Sequence, residues 1–330
     1  MINTLKFYYT KNTYPYRNLA VEEYLTTHVQ DDEIILYLWQ NSNTIVIGRN
    51  QNAWKECRVS ELEKDGGHVV RRLSGGGAVY HDLGNLNFTF CVKKANYSVD
   101  KQLDVILEAV KDLGINAQKT GRNDITIDGK KFSGNAFYKT GDCCYHHGTL
   151  LLNVDTAMMT KYLNVDIAKL QAKGVDSVKS RVTNLNAYYP NISVDLMAEK
   201  LQNAFDKVYK GKSTIISQDN LDTAKIDVLE QKFADWNWIF GRKNPFTHKI
   251  QKRFSWGDIE IYLFVDSGKI EKVNIYSDMM EQDFILRLKE KLPHTLYKKD
   301  AIMEKIKQSF SHDISSQIQQ DVIDLIETEI

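Results

Sequence analysis

The densest concentration of chemistry-bearing side chains is the run from Arg71 to Asn85, Arg-Arg-Leu-Ser-Gly-Gly-Gly-Ala-Val-Tyr-His-Asp-Leu-Gly-Asn. Two guanidiniums beside Gly75, Gly76 and Gly77 place permanent positive charge next to backbone N–H groups that no side chain shields, an arrangement suited to phosphate oxygens. A bare triple glycine reads most simply as a tight turn with surface arginines. The adjacent Arg71 and Arg72, with Ser74, His81 and Asn85, favour an anion-binding loop. The second run, Gly121 to Ala136, is Gly-Arg-Asn-Asp-Ile-Thr-Ile-Asp-Gly-Lys-Lys-Phe-Ser-Gly-Asn-Ala. Its Asp128-Gly129 pair is a type I′ hairpin signal. Alternation along the returning strand then sends Lys130 and Lys131 to opposite faces, so that one ammonium points inward. A hairpin lysine is ordinarily solvated charge. Lys131, however, is followed by Ser133, Gly134 and Ala136, which leave space for a ligand over the strand.

The third run, Cys143-Cys-Tyr-His-His-Gly-Thr149, invites a zinc reading. On a strand, Cys144 and His146 share one face while Cys143, Tyr145 and His147 share the other, so the four do not converge on one ion. The expectation is a strand with one functional histidine. The stretch Lys173 to Asn184 is basic and without helical periodicity, a surface loop that beside an anion site could serve as a lid. Other signatures are decoys. Gly211-Lys212-Ser213 resembles the end of a phosphate-binding loop, but Asp206 stands where its first glycine belongs. Tyr80 occupies the third glycine position of a dinucleotide fingerprint.

The elements that must position these residues are short. Thirteen of the 18 glycines lie between Gly48 and Gly148, which places backbone-defined chemistry early in the chain. Strand patterns recur at Glu33–Trp39, Thr44–Ile47, Leu86–Phe90, Asp124–Ile127 and Tyr145–Leu152. One helix starts after Ser98 as N-cap, turns Leu103, Ile106, Leu107, Val110 and Leu113 to one face and stops at Gly114. Another runs from about Ser193 to Tyr209. The fold class is mixed α+β, not a regular βαβ repeat. Near Trp236 to Phe240 the texture changes, predicting a domain of residues 1–243 and an accessory domain of 244–330. The latter reads as a three-stranded meander (Phe246–Phe254, Asp258–Val265, Lys269–Tyr276) followed by helices over Met279–Lys291 and most of Ala301–Ile330.

Composition bounds the function. The 43 Lys+Arg cancel 43 Asp+Glu, so no whole-molecule field draws nucleic acid or anionic membrane. No apolar run approaches the roughly 20 residues of a membrane span, and the first residues carry no signal-peptide pattern. Four irregularly spaced cysteines suggest free thiols and a cytoplasmic protein.

The Arg71–Asn85 motif, Gly-Arg-Asn-Asp with Lys131-Phe-Ser-Gly-Asn-Ala, His147-Gly-Thr-Leu-Leu-Leu and Lys179-Ser-Arg-Val-Thr-Asn-Leu together resemble the lipoate-protein ligases of the biotin and lipoate ligase superfamily. The resemblance covers nearly the whole chain. Trp236-Asn-Trp and Phe254-Ser-Trp-Gly are similar to the accessory domain of the two-domain members. It implies mixed sheets with flanking helices, and ATP-dependent activation of lipoate to lipoyl-AMP, with Mg2+. Transfer of the lipoyl group to a lysine of an apo lipoyl domain would follow, on a 2-oxoacid dehydrogenase E2 subunit or a glycine-cleavage H protein. Arg72 and the Gly77, Ala78, Val79 and Tyr80 backbone would bind nucleotide and acyl-adenylate. Lys131 would contact the lipoyl carbonyl and the phosphate as the catalytic cation. Gly75, Gly76, Asn85, Asn123, Asp124 and His147 would form the walls, with Asp124 a magnesium or ribose contact and no metal ligand assigned. The segments Leu19–Leu25 and Ile34–Ile47 could supply an apolar slot for the lipoyl tail. An ATP-independent octanoyl or lipoyl transferase on the same fold would carry a cysteine shortly before the lysine, and residues 119–131 contain none. A noncatalytic lipoyl-adenylate binding module could dispense with Lys131.

Overall fold

A computed structural model describes residues 2–121, 124–164, 182–240, 248–310 and 316–330. In chain order they form β1 (Thr4–Tyr9), α1 (Pro15–His28), β2 (Glu33–Trp39), β3 (Thr44–Ile47), α2 (Ala53–Glu56), α3 (Val59–Lys64), β4 (His68–Arg71), β5 (Val79–His81), β6 (Asn85–Lys93), α4 (Val99–Lys111), β7 (Gln118–Thr120), β8 (Asp124–Ile127), β9 (Lys130–Thr140), β10 (Cys143–Leu151) and α5 (Thr156–Tyr162). There follow α6 (Val194–Tyr209), β11 (Thr214–Ile215), α7 (Thr223–Ala234), α8 (Trp236–Ile239), β12 (His248–Phe254), β13 (Gly257–Asp266), β14 (Lys269–Ser277), α9 (Gln282–Lys291), α10 (Lys299–Ser309) and α11 (Ser316–Glu329). Two compact units result. One holds Met1–Val46, Ala53–Arg71 and Ala78–Ile239; the other holds Ile47–Asn52, Arg72–Gly77 and Phe240–Ile330. The expected boundary at 243/244 lies outside the described residues. Two short early segments, including Arg72 to Gly77, group with the C-terminal residues.

The first unit is built on an eight-stranded sheet in the order β11-β1-β2-β6-β10-β9-β8-β7. The β11, β1 and β2 pairings are parallel and the rest antiparallel, confirming a mixed α+β architecture. Strand parity gives the two faces different chemistry. Ile34, Leu36 and Leu38 of β2, Leu86, Phe88 and Phe90 of β6 and Leu150 of β10 pack with Val105, Ile106, Ala109 and Val110 of α4 and with Met197, Leu201 and Phe205 of α6. Each such aliphatic or aromatic side chain contributes roughly 1.5–3 kcal/mol by leaving water. The alternate residues face the other way, in rows Tyr37, Thr89, His147 and Trp39, Asn87, Thr149. That face is covered by α1.

The helices on the apolar face follow their local signals. Ser98 accepts from the Lys101 N–H and Ser193 from the Leu196 N–H, so both N-caps stand where their residue types predict. Helix α1 has no such pattern, because it is buried on more than one side. It begins at Pro15, fitted to a first helical position. It packs on α7, where Arg17 pairs with Asp227 and, at 3.0 Å, with Glu230. Its buried stripe Asn18, Glu22, Thr26, at four-residue spacing, is polar. The Leu19–Leu25 segment, expected as part of an apolar wall, holds buried Leu19, Ala20, Val21 and Leu25 beside this polar stripe. Asn18, Glu22 and Thr26 of α1 bond to the sheet, and the β2 residues on that face are Tyr37 and Trp39.

In the second unit, β12-β13-β14 form the expected antiparallel meander. Ile250, Ile259, Ile261, Leu263 and Ile275 pack against Phe284, Ile285 and Leu288 of α9, Ile302 and Ile306 of α10 and Val322, Ile323 and Ile326 of α11.

Candidate active site

The β8–β9 hairpin turns through Asp128 (φ 50°) and Gly129 (φ 76°), the two consecutive positive φ values of a type I′ turn. Register shifts between Ile125 and Thr126, whose partners are Ser133 and Lys131, so Phe132 is the extra, buried residue of a bulge. Lys130 is exposed while Lys131 is half-buried. The Lys131 Nζ lies 2.6 Å from Asp124 Oδ1, both side chains being about one-fifth exposed. The Lys131 carbonyl accepts from the Thr183 N–H at 2.9 Å, next to a bridge between Lys131 and Val182 that fastens the start of the strand. A Cβ at Gly134 would stand 2.7 Å from the Lys131 Nζ, so the ammonium lies over a glycine and any larger residue would displace it. Gly134 in turn donates its N–H to Thr149 Oγ1 at 3.2 Å.

Beside this hairpin, the α1-covered face carries a buried polar chain. His147 Nδ1 lies 2.7 Å from Glu22 Oε1, Thr89 Oγ1 donates to the same oxygen at 2.7 Å, and Trp39 Nε1 donates to Thr89 Oγ1 at 3.1 Å. Glu22 is 1% exposed, and a buried carboxylate is tolerable only when bonded in this way. The Tyr145 ring lies against His147, with centroids 4.7 Å apart. Asn85 Nδ2 donates to Asn87 Oδ1 at 2.9 Å. Sequence reading picked out Asn85 and His147 but missed Glu22, Trp39, Asn87 and Thr89. The signals were present as the polar stripe of α1 and the alternation Asn85, Asn87, Thr89.

The adjacent histidines are divided between faces. His146 points into the apolar side, with Nδ1 3.1 Å from Gln102 Oε1 and Nε2 2.8 Å from Asn135 Oδ1. Burial, followed by the neighbouring His147, holds its pKa down to about 3, so the ring is neutral at pH 7. The four cysteines are buried free thiols. Burial pushes the Cys57 thiol up to about 12 and raises those of Cys91, Cys143 and Cys144 as well.

The two arginines of the glycine motif also part company. Arg71, in the first unit, donates to the Trp238 and Ile239 carbonyls at 2.9 and 3.0 Å, while Trp238 Nε1 donates back to the Arg71 carbonyl at 2.9 Å. The expectation of two guanidiniums serving the glycines is thus corrected: Arg71 fastens α8. In the second unit, Arg72 donates from Nη2 to the Gly75 and Gly77 carbonyls at 2.6 and 2.8 Å and from Nε to Ser74 Oγ at 3.1 Å. Steric reasons account for the first glycines. A Cβ on Gly75 would meet the Met279 carbonyl at 2.5 Å, and Gly76 has φ 89° and donates its N–H to that carbonyl at 3.3 Å. Gly77 is exposed and a Cβ there would meet nothing within 4 Å, so no packing requires glycine.

Ala78 and Val79 are half-buried, and β5 holds Val79 opposite Val46 and Tyr80 opposite Ile45. Tyr80 donates to Asn43 Oδ1 at 3.2 Å. Asn123 and the greater part of the Lys173–Asn184 stretch, residues 173–181, lie outside the described residues.

Comparison with known proteins identifies the family. Residues 14–206 match the model of the lipoyl protein ligase A/B catalytic domain, and residues 243–326 that of the bacterial lipoate protein ligase C-terminus. The lipoate-protein ligase A of Psychrobacter cryohalolentis is 40% identical over 307 residues, covering 89% of each chain. The crystal structure of P. falciparum LipL1 in complex with lipoate superposes with a TM-score of 0.88 at 31% identity, covering 98% of this chain and all of that one. A bi-partite lipoate protein ligase of Thermoplasma acidophilum, solved in a study of that ligase and its E2 lipoyl domain, gives a TM-score of 0.63 at 25% identity over 74% of this chain and 99% of its own. With both family models matched in order and a relative 40% identical over 89% of the chain, the chain belongs to the lipoate-protein ligase family.

Proposed function

We propose that the chain activates lipoate with ATP to lipoyl-AMP, releasing pyrophosphate, and then transfers the lipoyl group to a lysine of an apo lipoyl domain. In the second step the acceptor amine attacks the acyl carbon, AMP leaves with the electron pair of the mixed anhydride bond, and the amine gives up a proton as the amide forms. The observation that carries this reading is the Lys131 ammonium, held by Asp124 over Gly134 at the margin of a buried polar face. A carboxylate is a poor electrophile and must approach a polyanion, so a fixed cation where negative charge develops is what both steps require.

Arg72 and the backbone of Gly77, Ala78, Val79 and Tyr80 bind the nucleotide in this reading, with Gly75 and Gly76 shaping the turn. Arg72 is already oriented on its own loop carbonyls, an arrangement that preorganises the guanidinium. Asn85, Asn123, Asp124 and His147 line the substrate side, Asp124 acting by orienting Lys131. Magnesium binds through one or two carboxylates plus substrate phosphates. Among the described residues no group of three His, Cys, Asp or Glu side chains converges, and the Asp124 carboxylate is engaged by Lys131, so the residues present do not make a metal site of their own. Residues 1–243 act as the catalytic domain and 244–330 as the accessory domain. The acceptors are lipoyl domains of 2-oxoacid dehydrogenase E2 subunits or the glycine-cleavage H protein, met in the cytoplasm; among the described residues no helix is long and apolar enough to cross a membrane.

A transferase that used a cysteine nucleophile would need a thiolate, and burial raises the pKa of every one of the four thiols. That favours the ATP-dependent route. The test is intact-mass measurement of an apo lipoyl domain incubated with the protein, lipoate, ATP and magnesium. One lipoyl addition that requires ATP is expected; addition without ATP would establish the transferase, and no addition across a panel of acceptors would establish a binding module.

A further inference from the structure

The row Trp39, Asn87, Thr149 runs across β2, β6 and β10 and continues to Gly134 on β9, whose N–H bonds to Thr149 Oγ1 and over which the Lys131 ammonium lies. Asn85 and Asn87 stand on this face, 0% and 2% exposed. Their mutual hydrogen bond uses Asn85 Nδ2 and Asn87 Oδ1, which leaves Asn87 Nδ2 and Asn85 Oδ1 without a partner among the described residues. The contrast is with the neighbouring row, where Thr89 and His147 both bond to Glu22 of α1 and Thr89 accepts from Trp39 Nε1. A buried amide N–H left unbonded costs roughly 1–3 kcal/mol, a cost the fold itself does not offset at this position.

We propose that Asn87 is a specificity-determining residue that selects lipoate, through its dithiolane ring, over a plain eight-carbon fatty acid. The inference rests on the proposed function, which places the carboxyl end at Lys131. From β9 to β6 is two strand spacings, about 10 Å. The four-methylene arm of lipoate and its dithiolane ring together approach that distance and bring the ring sulfurs toward β6. A sulfur is a weak hydrogen-bond acceptor that the Asn87 N–H can meet, and the Trp39 ring next to it offers a sulfur–aromatic contact. Octanoate places methylene and methyl groups there, and the amide N–H stays unbonded. The polar wall thus penalises the saturated chain while accommodating the disulfide, which is how a site discriminates between acids of equal length.

The test is a competition in which lipoate and octanoate, with ATP and magnesium, modify one apo lipoyl domain and the two products are separated by mass. The wild type is expected to favour lipoate by at least about tenfold in kcat/KM. Asn87→Leu, with the same branching and without the N–H, is expected to lower that ratio about tenfold, chiefly by raising the octanoate term. Asn87→Ala gives the same readout should the leucine variant melt early. Because both acids are read in one tube, general damage to the site cancels. A ratio unchanged within about twofold in a folded variant, equal loss on both acids, or a wild type indifferent to the two would overturn the inference while leaving lipoate ligation intact. A wild type that ligates neither acid would overturn the proposed function instead.

Discussion

The two faces of the eight-stranded sheet use the same strands for opposite purposes. On the α4 and α6 side, Leu36, Leu86, Phe88 and Phe90 form a core with no exposure to solvent. On the α1 side, their immediate neighbours in sequence, Tyr37, Asn87 and Thr89, are as deeply buried but polar. Burial alone therefore does not distinguish scaffold from site. Bonding does: one face is stabilised by non-directional removal from water, the other by hydrogen bonds that hold a carboxylate, an imidazole and amides in fixed orientations. Since side chains alternate with period two, a one-residue slip of β6 would exchange the faces, and the register is accordingly over-determined by the apolar set.

The comparison breaks most readily at adjacent residues. Phe88→Ala should cost about 3–5 kcal/mol of stability, read by urea denaturation, whereas Thr89→Ala across the strand should cost about 1–3 kcal/mol. Equal costs would mean that the faces are not energetically distinct. Next in size, Lys131→Ala should slow adenylate formation, measured by pyrophosphate exchange, about 10²–10³-fold with the melting temperature nearly unchanged, as expected of a residue that meets developing charge and not the core. Normal turnover in that variant would remove the chemistry from this edge of the sheet. Glu22→Gln keeps an acceptor for the His147 and Thr89 bonds but removes their charge assistance. A loss of about 1–2 kcal/mol is expected, together with a raised KM for lipoate, and an unchanged KM would mark the chain as structural only.

The smallest effect sharpens the comparison from the apolar side. His146 has a folded pKa depressed to about 3 by burial, below the ordinary 6.5, so the unfolded chain takes up the proton first. Its contribution to stability is present above pH 6.5 and is lost as pH falls from there toward 3. Between pH 6.5 and 5.5 the loss is about 1 kcal/mol. His146→Gln should flatten the pH dependence of stability by that amount, compared in parallel denaturation curves. An identical slope in both proteins would contradict a neutral His146 in the core.

Much of this was legible in residue types. The caps Ser98 and Ser193 and the Asp128-Gly129 turn act through bonds and dihedrals within a few residues, so the structure carries them where they were expected. The Lys130 and Lys131 alternation follows from strand geometry, and Lys131 is indeed the less exposed of the two. What escaped notice was α1, whose burial on more than one side removes the single apolar stripe that marks a surface helix, and with it Glu22. Arg71 and Arg72 read alike because they are alike; only the position of the Trp238 and Ile239 carbonyls, far along the chain, draws Arg71 away.

The amino-acid sequence by itself determined the local conformations, the apolar and polar alternation of the strands and the presence of a glycine turn beside permanent charge, because each depends on side chains a few residues apart. Tertiary structure alone decided which polar residues are buried together. The bonds of His147 to Glu22 and of Trp39 to Thr89 join β2, β6, β10 and α1, and no spacing along one strand encodes which oxygen a donor meets on another.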